Sequence, residues 1–390
     1  MNFHKEIENI FDQIVAWRRH LHANPELSFE EKNTSAFICD LLDKWGVSYS
    51  REYGGYSIVA SLKGREGEKC IALRADMDAL PIQEENTCEY KSKVSGCMHA
   101  CGHDVHTANL LGVLAILKDH TDLFGGTIKF IFQHAEEKLP GGASIMIEKG
   151  VLQNPKVEEI YGLHVFPDLE VGKVGFRSGM YMASCDELYF RIIGKGGHGA
   201  MPHKTIDPIQ ISAQIIQALQ TVNSRSFDPT IPSVISIGRI EGLGATNVIP
   251  DEVKMQGTFR TLNEEWRAKG HELITEIAKG IAKANGAQCE VEIIKGYPYL
   301  ENDQELTESA MAAARNTLGE ERVIDLPIRM TGEDFAYYSQ KIPACFFRLG
   351  VRNEEKGIIH GVHNSKFDVD EACFKTGVQT MLGIVLDRMS

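Results

Sequence analysis

Apolar residues recur at helical spacing over residues 5–22 and again over 30–45, so both stretches predict helices, the second opening near Ser28 with acidic residues behind it. Short apolar runs at 57–62 and 70–74 predict strands. A helix is expected at 104–118, a strand at 127–132, a helix at 142–149 and a further strand ending at Leu163. Alternation of this kind predicts an α/β layer architecture built on a mixed, largely parallel sheet.

From residue 186 the pattern changes. Residues 186–193 alternate, with Leu188, Phe190 and Ile192 on one face. Asp207, Pro208 and Gln210 make a helix start, with a cap, proline at the first position and glutamine at the third. Ile209, Ala213 and Ile216 continue it. Strands are expected at 234–240 and 253–259, a helix at about 263–284 and a closing strand at 289–293. The order β-α-β-β-α-β is that of a ferredoxin-like (βαββαβ) unit covering 186–294. Beyond it, 305–317 and 370–388 predict helices and 344–349 a strand. The simplest architecture is one discontinuous α/β domain, 1–185 with 295–390, into which 186–294 is inserted.

The chain has 390 residues, too many for a single ordinary core, which agrees with two domains. Its balance of 43% hydrophobic and 24% charged residues is that of a soluble globular protein. No run approaches about 18 uninterrupted apolar residues, so no membrane span is expected. The opening MNFHKEIENIF has no signal-peptide core. A formal charge of −13 repels nucleic acid phosphates and argues against that partner. The nine cysteines are odd in number and contain no CxxC, which predicts reduced thiols in a cytoplasmic protein.

Chemistry concentrates in a few stretches. Residues 98–106 read MHACGHDVH, three histidines, a cysteine and an aspartate where a loop meets a helix. Asp104 can cap that helix, and a helix start lowers a thiol pKa. Cys101 and His103, two apart, can converge on one point, and thiolate with imidazole suits zinc first, with manganese, cobalt and nickel behind it. The same pattern also fits a polar cap over a buried thiol. Residues 132–137, FQHAEE, follow an apolar strand, where open α/β sheets build sites. Of its two carboxylates one can bind metal, and its neighbour can shuttle a proton from water to a leaving amine. His164 follows an apolar strand, and His360 and His363 stand in a late HGVHN. Asp76 and Asp78 follow the 70–74 strand and could ligate metal or accept a hydrogen bond from a ligand histidine; the second role is the one favoured for Asp78, although a helix or turn start explains the stretch about as well.

The inserted stretch carries a glycine-rich loop at 194–203 with His198 and His203. Glycines permit close approach, and His198 can polarise a carbonyl oxygen. Asn247 offers an amide and Arg260 a guanidinium suited to a carboxylate, although a surface salt bridge explains Arg260 equally well.

The ordered set RADMDALP, HACGHD, AEE, LHV, GGHGAMPH, TNVIP, GTFR, TGEDF and GVHN resembles the metal-dependent aminoacylase and carboxypeptidase superfamily. More narrowly it resembles the branch of hippurate hydrolases, indole-acetyl-amino-acid hydrolases and N-acetyl-diaminopimelate deacetylases. The resemblance implies a metal-binding α/β domain and a ferredoxin-like lid through which the chain forms a homodimer. It implies two divalent metal ions held by Cys101, His103, Glu137, His164 and His363. It gives Glu136 the role of general base and acid, and His198 an oxyanion contact from its own or the partner subunit. Asn247 and Arg260 would then hold the carboxylate of an N-acyl amino acid substrate. One position departs from the pattern: His134 stands where the family usually has proline before Ala-Glu-Glu.

The expected reaction is hydrolysis of an N-acyl amino acid to a carboxylic acid and a free amino acid. A di- or short-peptide metallopeptidase would share the same machinery. A cysteine hydrolase using Cys101 would leave Glu136, Glu137, His164 and His363 without a role. A metal-binding protein without catalysis would have no use for Glu136 beside Glu137.

Overall fold

The structure is a computed structural model that describes residues 3–390. They divide into two compact units. The first runs up to Gly179 and takes in Glu301–Pro327 and Asp334–Ser390; the second comprises Met180–Leu300 and Ile328–Glu333.

The first unit is built on an eight-stranded sheet in the order Tyr49–Ser50, Ile58–Lys63, Gly125–Gln133, Arg65–Asp76, Glu159–Glu170, Ala344–Arg352, Val174–Phe176, Val323–Asp325. Its four central strands, from Gly125–Gln133 to Ala344–Arg352, run parallel. Antiparallel pairs join Tyr49–Ser50, Ile58–Lys63 and Val174–Phe176, and Val323–Asp325 pairs parallel with Val174–Phe176, giving a mixed, largely parallel sheet. The central strands are buried along most of their length, as parallel strands covered on both faces are. The helix His103–Leu117 is buried on every side between the sheet and the outer helices His4–Ala23 and Cys373–Met389. That explains why its apolar residues show no helical stripe.

The second unit holds a four-stranded antiparallel sheet in the order Ser233–Glu241, Glu252–Thr261, Asp186–Ile193, Gln288–Ile294. Helices Pro208–Thr221 and Glu264–Ala284 complete the ferredoxin-like order. Leu188, Phe190 and Ile192 point into its core with Phe259 and Ile274. The Asp207 carboxylate accepts the backbone N–H groups of Ile209 and Gln210, so the proline-led start is a true cap.

Three local expectations are corrected. The second helix is Lys32–Trp45 and begins after Glu31; Ser28 instead donates to Asp78 at 2.7 Å. The strand expected to end at Leu163 continues to Glu170, because its pairing with Ala344–Arg352 outlasts its pairing with Arg65–Asp76. Asp104 does not cap its helix: Gly102 holds that position without a side-chain bond. Asp104 is buried and takes hydrogen bonds from Arg18 and His22, each at 2.8 Å.

Candidate active site

The site grows from the C-terminal ends of the parallel strands of the first unit, where open α/β sheets place ligands. After Arg65–Asp76 the chain delivers Asp76 and Asp78, both buried. Between Cys101 and His103 stands Gly102, in the left-handed region at φ 85°. A side chain there would bring a Cβ within 2.5 Å of Val165, so only glycine lets the two donors turn toward one point. His103 Nδ1 bonds Asp78 at 3.1 Å, which orients the ring; its Nε2 is buried without a hydrogen-bond partner among the described residues.

The strand Gly125–Gln133 leads into the second element of the site. Ala135 lies in the left-handed region at φ 49°, and its N–H is held by the Glu31 carboxylate at 2.8 Å. The next N–H but one, that of Glu137, donates to Asp78 at 2.9 Å. Glu136 Oε1 accepts the Asp334 N–H at 3.3 Å. Glu137 Oε1 is buried, without a hydrogen bond among the described residues, 3.4 Å from His363 Nε2 and 3.8 Å from His103 Nε2.

His164 lies one residue beyond Leu163 in mid-strand, just past the last pairing with Arg65–Asp76. Its Nδ1 donates to the Val165 carbonyl at 2.7 Å, which leaves Nε2 facing Cys101 Sγ at 3.3 Å. His363 reaches the same place from a late loop, itself left-handed at φ 62° and tied by its N–H to the Ala100 carbonyl at 2.7 Å.

Three overlapping groups result: Cys101 with His103 and His164, Cys101 with Glu137 and His363, and His103 with Glu136 and Glu137. In each, the donor atoms lie within 4.8 Å of one another. The five residues from distant stretches therefore converge, and two of their atoms, His103 Nε2 and Glu137 Oε1, are buried without hydrogen bonds among the described residues. A cysteine sulfur, imidazoles and carboxylates gathered in this way fit divalent cations.

The charge balance points the same way. Burial pushes the Cys101 thiol well above its ordinary pKa, and the carboxylates of Glu137, Glu136 and Asp76 add to it, against the lowering expected from the helix start. Burial opposes charge on His103, yet Asp76, Asp78 and Glu137 bring its pKa up to about 10.

Other residues of these motifs have different work. His106 bonds Asp76 at 2.5 Å through Nδ1 and accepts the Val165 N–H at 2.9 Å through Nε2, so both its nitrogens are used in holding the helix His103–Leu117 to the sheet. His99 is buried, and burial takes its pKa down to about 4. His134, at the position that departs from the family pattern, is buried with Nδ1 2.5 Å from Ser57 Oγ and its ring against Phe29.

His198, Asn247 and Arg260 belong to the second unit. Gly197–His198 pairs with Val248–Ile249, and the Gly199 N–H donates to the Asn247 carbonyl at 2.8 Å, so His198 and Asn247 are neighbours. Ala200 donates to His198 Nδ1 at 3.1 Å, which keeps the proton of a neutral ring on Nε2, the form that can donate to a carbonyl oxygen. Arg260 stands on a different strand and donates to the Met330 carbonyl at 3.2 Å.

The sequence reading passed over two groups. Glu31 is buried in a stretch read only as the start of a helix. Arg74, Gln133 and Asp334 form a buried cluster behind Glu136, with Arg74 2.7 Å from both Asp76 and Asp334. Asp334 lay in view in the TGEDF stretch, but nothing in one dimension joins it to Arg74, 260 positions away.

The profile of Peptidase family M20/M25/M40 matches residues 72–387. The chain is 46% identical over 305 residues to an N-acyl-L-amino acid amidohydrolase of Geobacillus stearothermophilus, covering 77% of this chain and 82% of that one. It is 42% identical over 375 residues to thermostable carboxypeptidase 2 of Saccharolobus solfataricus, covering 95% and 94%. A solved structure from Bacillus subtilis, described as a dinuclear metal binding peptidase from the M20 family, superposes with a TM-score of 0.84 at 35% identity over 98% of this chain and 99% of that one. The chain belongs to Peptidase family M20/M25/M40.

Proposed function

We propose that this chain is a metal-dependent amidohydrolase that cleaves the amide bond of N-acyl amino acids, releasing a carboxylic acid and a free amino acid. The observation that carries the reading is the convergence of Cys101, His103, Glu137, His164 and His363 beside a second carboxylate, Glu136, with His103 Nε2 and Glu137 Oε1 buried without hydrogen bonds among the described residues. The amidohydrolase and dinuclear-metal relatives support it.

In this reading the five residues hold two divalent ions, with zinc favoured by the thiolate and manganese, cobalt and nickel as the other candidates. Bound ions would polarise the amide carbonyl and acidify water. Glu136 takes the proton of the attacking water and returns it to the nitrogen as the C–N bond breaks. Asp78 keeps His103 in the tautomer whose Nε2 is a donor to metal. His198 donates to the developing oxyanion, and Asn247 with Arg260 binds the substrate carboxylate.

The first unit is the metal-binding catalytic domain and the second a lid. The lid exposes Ile240, Leu243 and Val248, apolar residues suited to a homodimer contact. Sedimentation should give twice the chain mass, and a monomer removes this part of the reading. The place of action is the cytoplasm. No helix among the described residues is long and apolar enough to cross a membrane.

The deciding experiment screens acetyl, benzoyl and indole-acetyl amino acids beside dipeptides, with zinc, manganese, cobalt and nickel added separately. The carboxypeptidase relative favours the second reading, a short-peptide metallopeptidase, and faster turnover of dipeptides would select it. The 3.3 Å contact of Cys101 with His164 also has the form of a thiol–imidazole pair. Activity that survives chelation and is lost on thiol alkylation would move the chemistry to Cys101.

A further inference from the structure

The geometry points to Glu31 as a positioning residue that locks the Glu136–Glu137 turn into its active shape. This inference rests on the proposal that the turn supplies the proton shuttle and a metal ligand. The Glu31 side chain is buried. Its Oε1 accepts two backbone N–H groups, from Phe29 at 3.0 Å and Ala135 at 2.8 Å. Both donors are non-glycine residues in the left-handed region, Phe29 at φ 70° and Ala135 at φ 49°.

Neither side chain can hold that conformation for itself. Asparagine and aspartate bond their own backbone there; alanine and phenylalanine have no polar atom to do so. Such residues persist only where surroundings fix them. For Ala135 the fixing contacts are the Glu31 carboxylate on its N–H and the Gly142 N–H on its carbonyl at 2.8 Å. Glu31 Oε2 has no hydrogen-bond partner among the described residues. A half-satisfied buried carboxylate is costly to keep, and its backbone contacts give it a use.

The consequence falls on the next two residues. Rotation of Ala135 toward an ordinary backbone conformation would redirect the chain, moving the Glu136 carboxylate from Asp334 and the Glu137 carboxylate from His103 and His363. Glu31 and Asp78 together grip alternate N–H groups of the turn, those of Ala135 and Glu137. One glutamate thereby ties the start of the helix Lys32–Trp45 to the catalytic loop.

The test compares E31A, E31D and E31Q with wild type, alone and combined with A135G. Turnover, KM, metal affinity by chelator competition and melting temperature are measured on the metal-loaded protein. Glutamine keeps an oxygen at the same reach and should retain most activity; aspartate keeps the charge but withdraws the oxygen. E31A and E31D should lower kcat and metal affinity by roughly 10- to 100-fold, with KM changing far less. A135G, which adopts the left-handed region without strain, should recover part of that loss in a double-mutant cycle.

Wild-type kcat and metal affinity in folded E31D would overturn the inference. So would losses that E31Q shares in full and A135G leaves unrelieved, because Glu31 would then act only through overall stability. If E31A does not fold, E31D against E31Q decides. A wild type that hydrolyses no N-acyl amino acid or dipeptide defeats the functional reading instead, and metal affinity still reports on the turn.

Discussion

At the scale of single residues, the site separates groups that touch the reacting atoms from groups that aim them. Glu136 is assigned the first role, so E136Q should cut turnover by roughly 100- to 10,000-fold while metal content stays near that of wild type. Loss of metal with the substitution would make Glu136 a ligand. Asp78 has the second role: it bonds His103, accepts the Glu137 N–H and is itself held by Ser28. D78N should weaken metal binding by roughly 10- to 100-fold, read by chelator competition. Gly102 sets the angle between Cys101 and His103. G102A forces a methyl to 2.5 Å from Val165 and strains the backbone, so it should destabilise the protein by about 1–3 kcal/mol in denaturant titration. The donor residue types were legible in the motifs. The grip of Glu31 and the Arg74–Asp334 pair were not, because each joins positions that only folding brings together.

At the scale of elements, long ones announced themselves and short ones did not. The helices His4–Ala23 and Gln304–Leu318 lie within a residue of the expected 5–22 and 305–317. Strands such as Val174–Phe176 and Val323–Asp325, three residues each, are too short to show a period and exist because a sheet edge recruits them. The second unit contains one buried charge cluster. Asp186 accepts hydrogen bonds from Arg267, from His271 at 2.6 Å and from the Gly296 N–H at 3.0 Å. Burial works against its charge, but these partners bring its pKa down to about 2. D186N takes one of two carboxylates from the buried Arg267, which keeps Glu264 at 3.0 Å, and should cost about 1–3 kcal/mol. The sign of the pH effect follows from the depressed pKa. The stabilisation is fully present above the ordinary value of 3.8 and is lost as pH falls through about 2, so the gap between wild type and D186N in urea midpoint should close over that window.

At the scale of the whole molecule, the five proposed ligands all belong to the first unit. A ligand that binds the folded state alone stabilises it, by about 2.7 kcal/mol at a hundredfold excess over Kd. Chelation should therefore lower the melting transition of the first unit and leave that of the second unchanged, and added zinc should restore it. Scanning calorimetry with and without chelator gives the answer; a shift confined to the second unit would relocate the metal site.

The sequence by itself determined the α/β and ferredoxin-like patterns, the donor residue types and the family, because periodicity and motif spacing are local properties of a chain. Tertiary structure alone decided which histidines of MHACGHDVH face the cluster. It turned His103 Nε2 toward Glu137, spent both nitrogens of His106 on Asp76 and Val165, and paired Asp104 with Arg18. It also made the Cys101 thiol harder to ionise, through burial and the neighbouring carboxylates. The physical reason is common to all of these: ring orientation, burial and the field of neighbouring carboxylates arise from groups far apart along the chain, which strand pairing and helix packing press into one small volume.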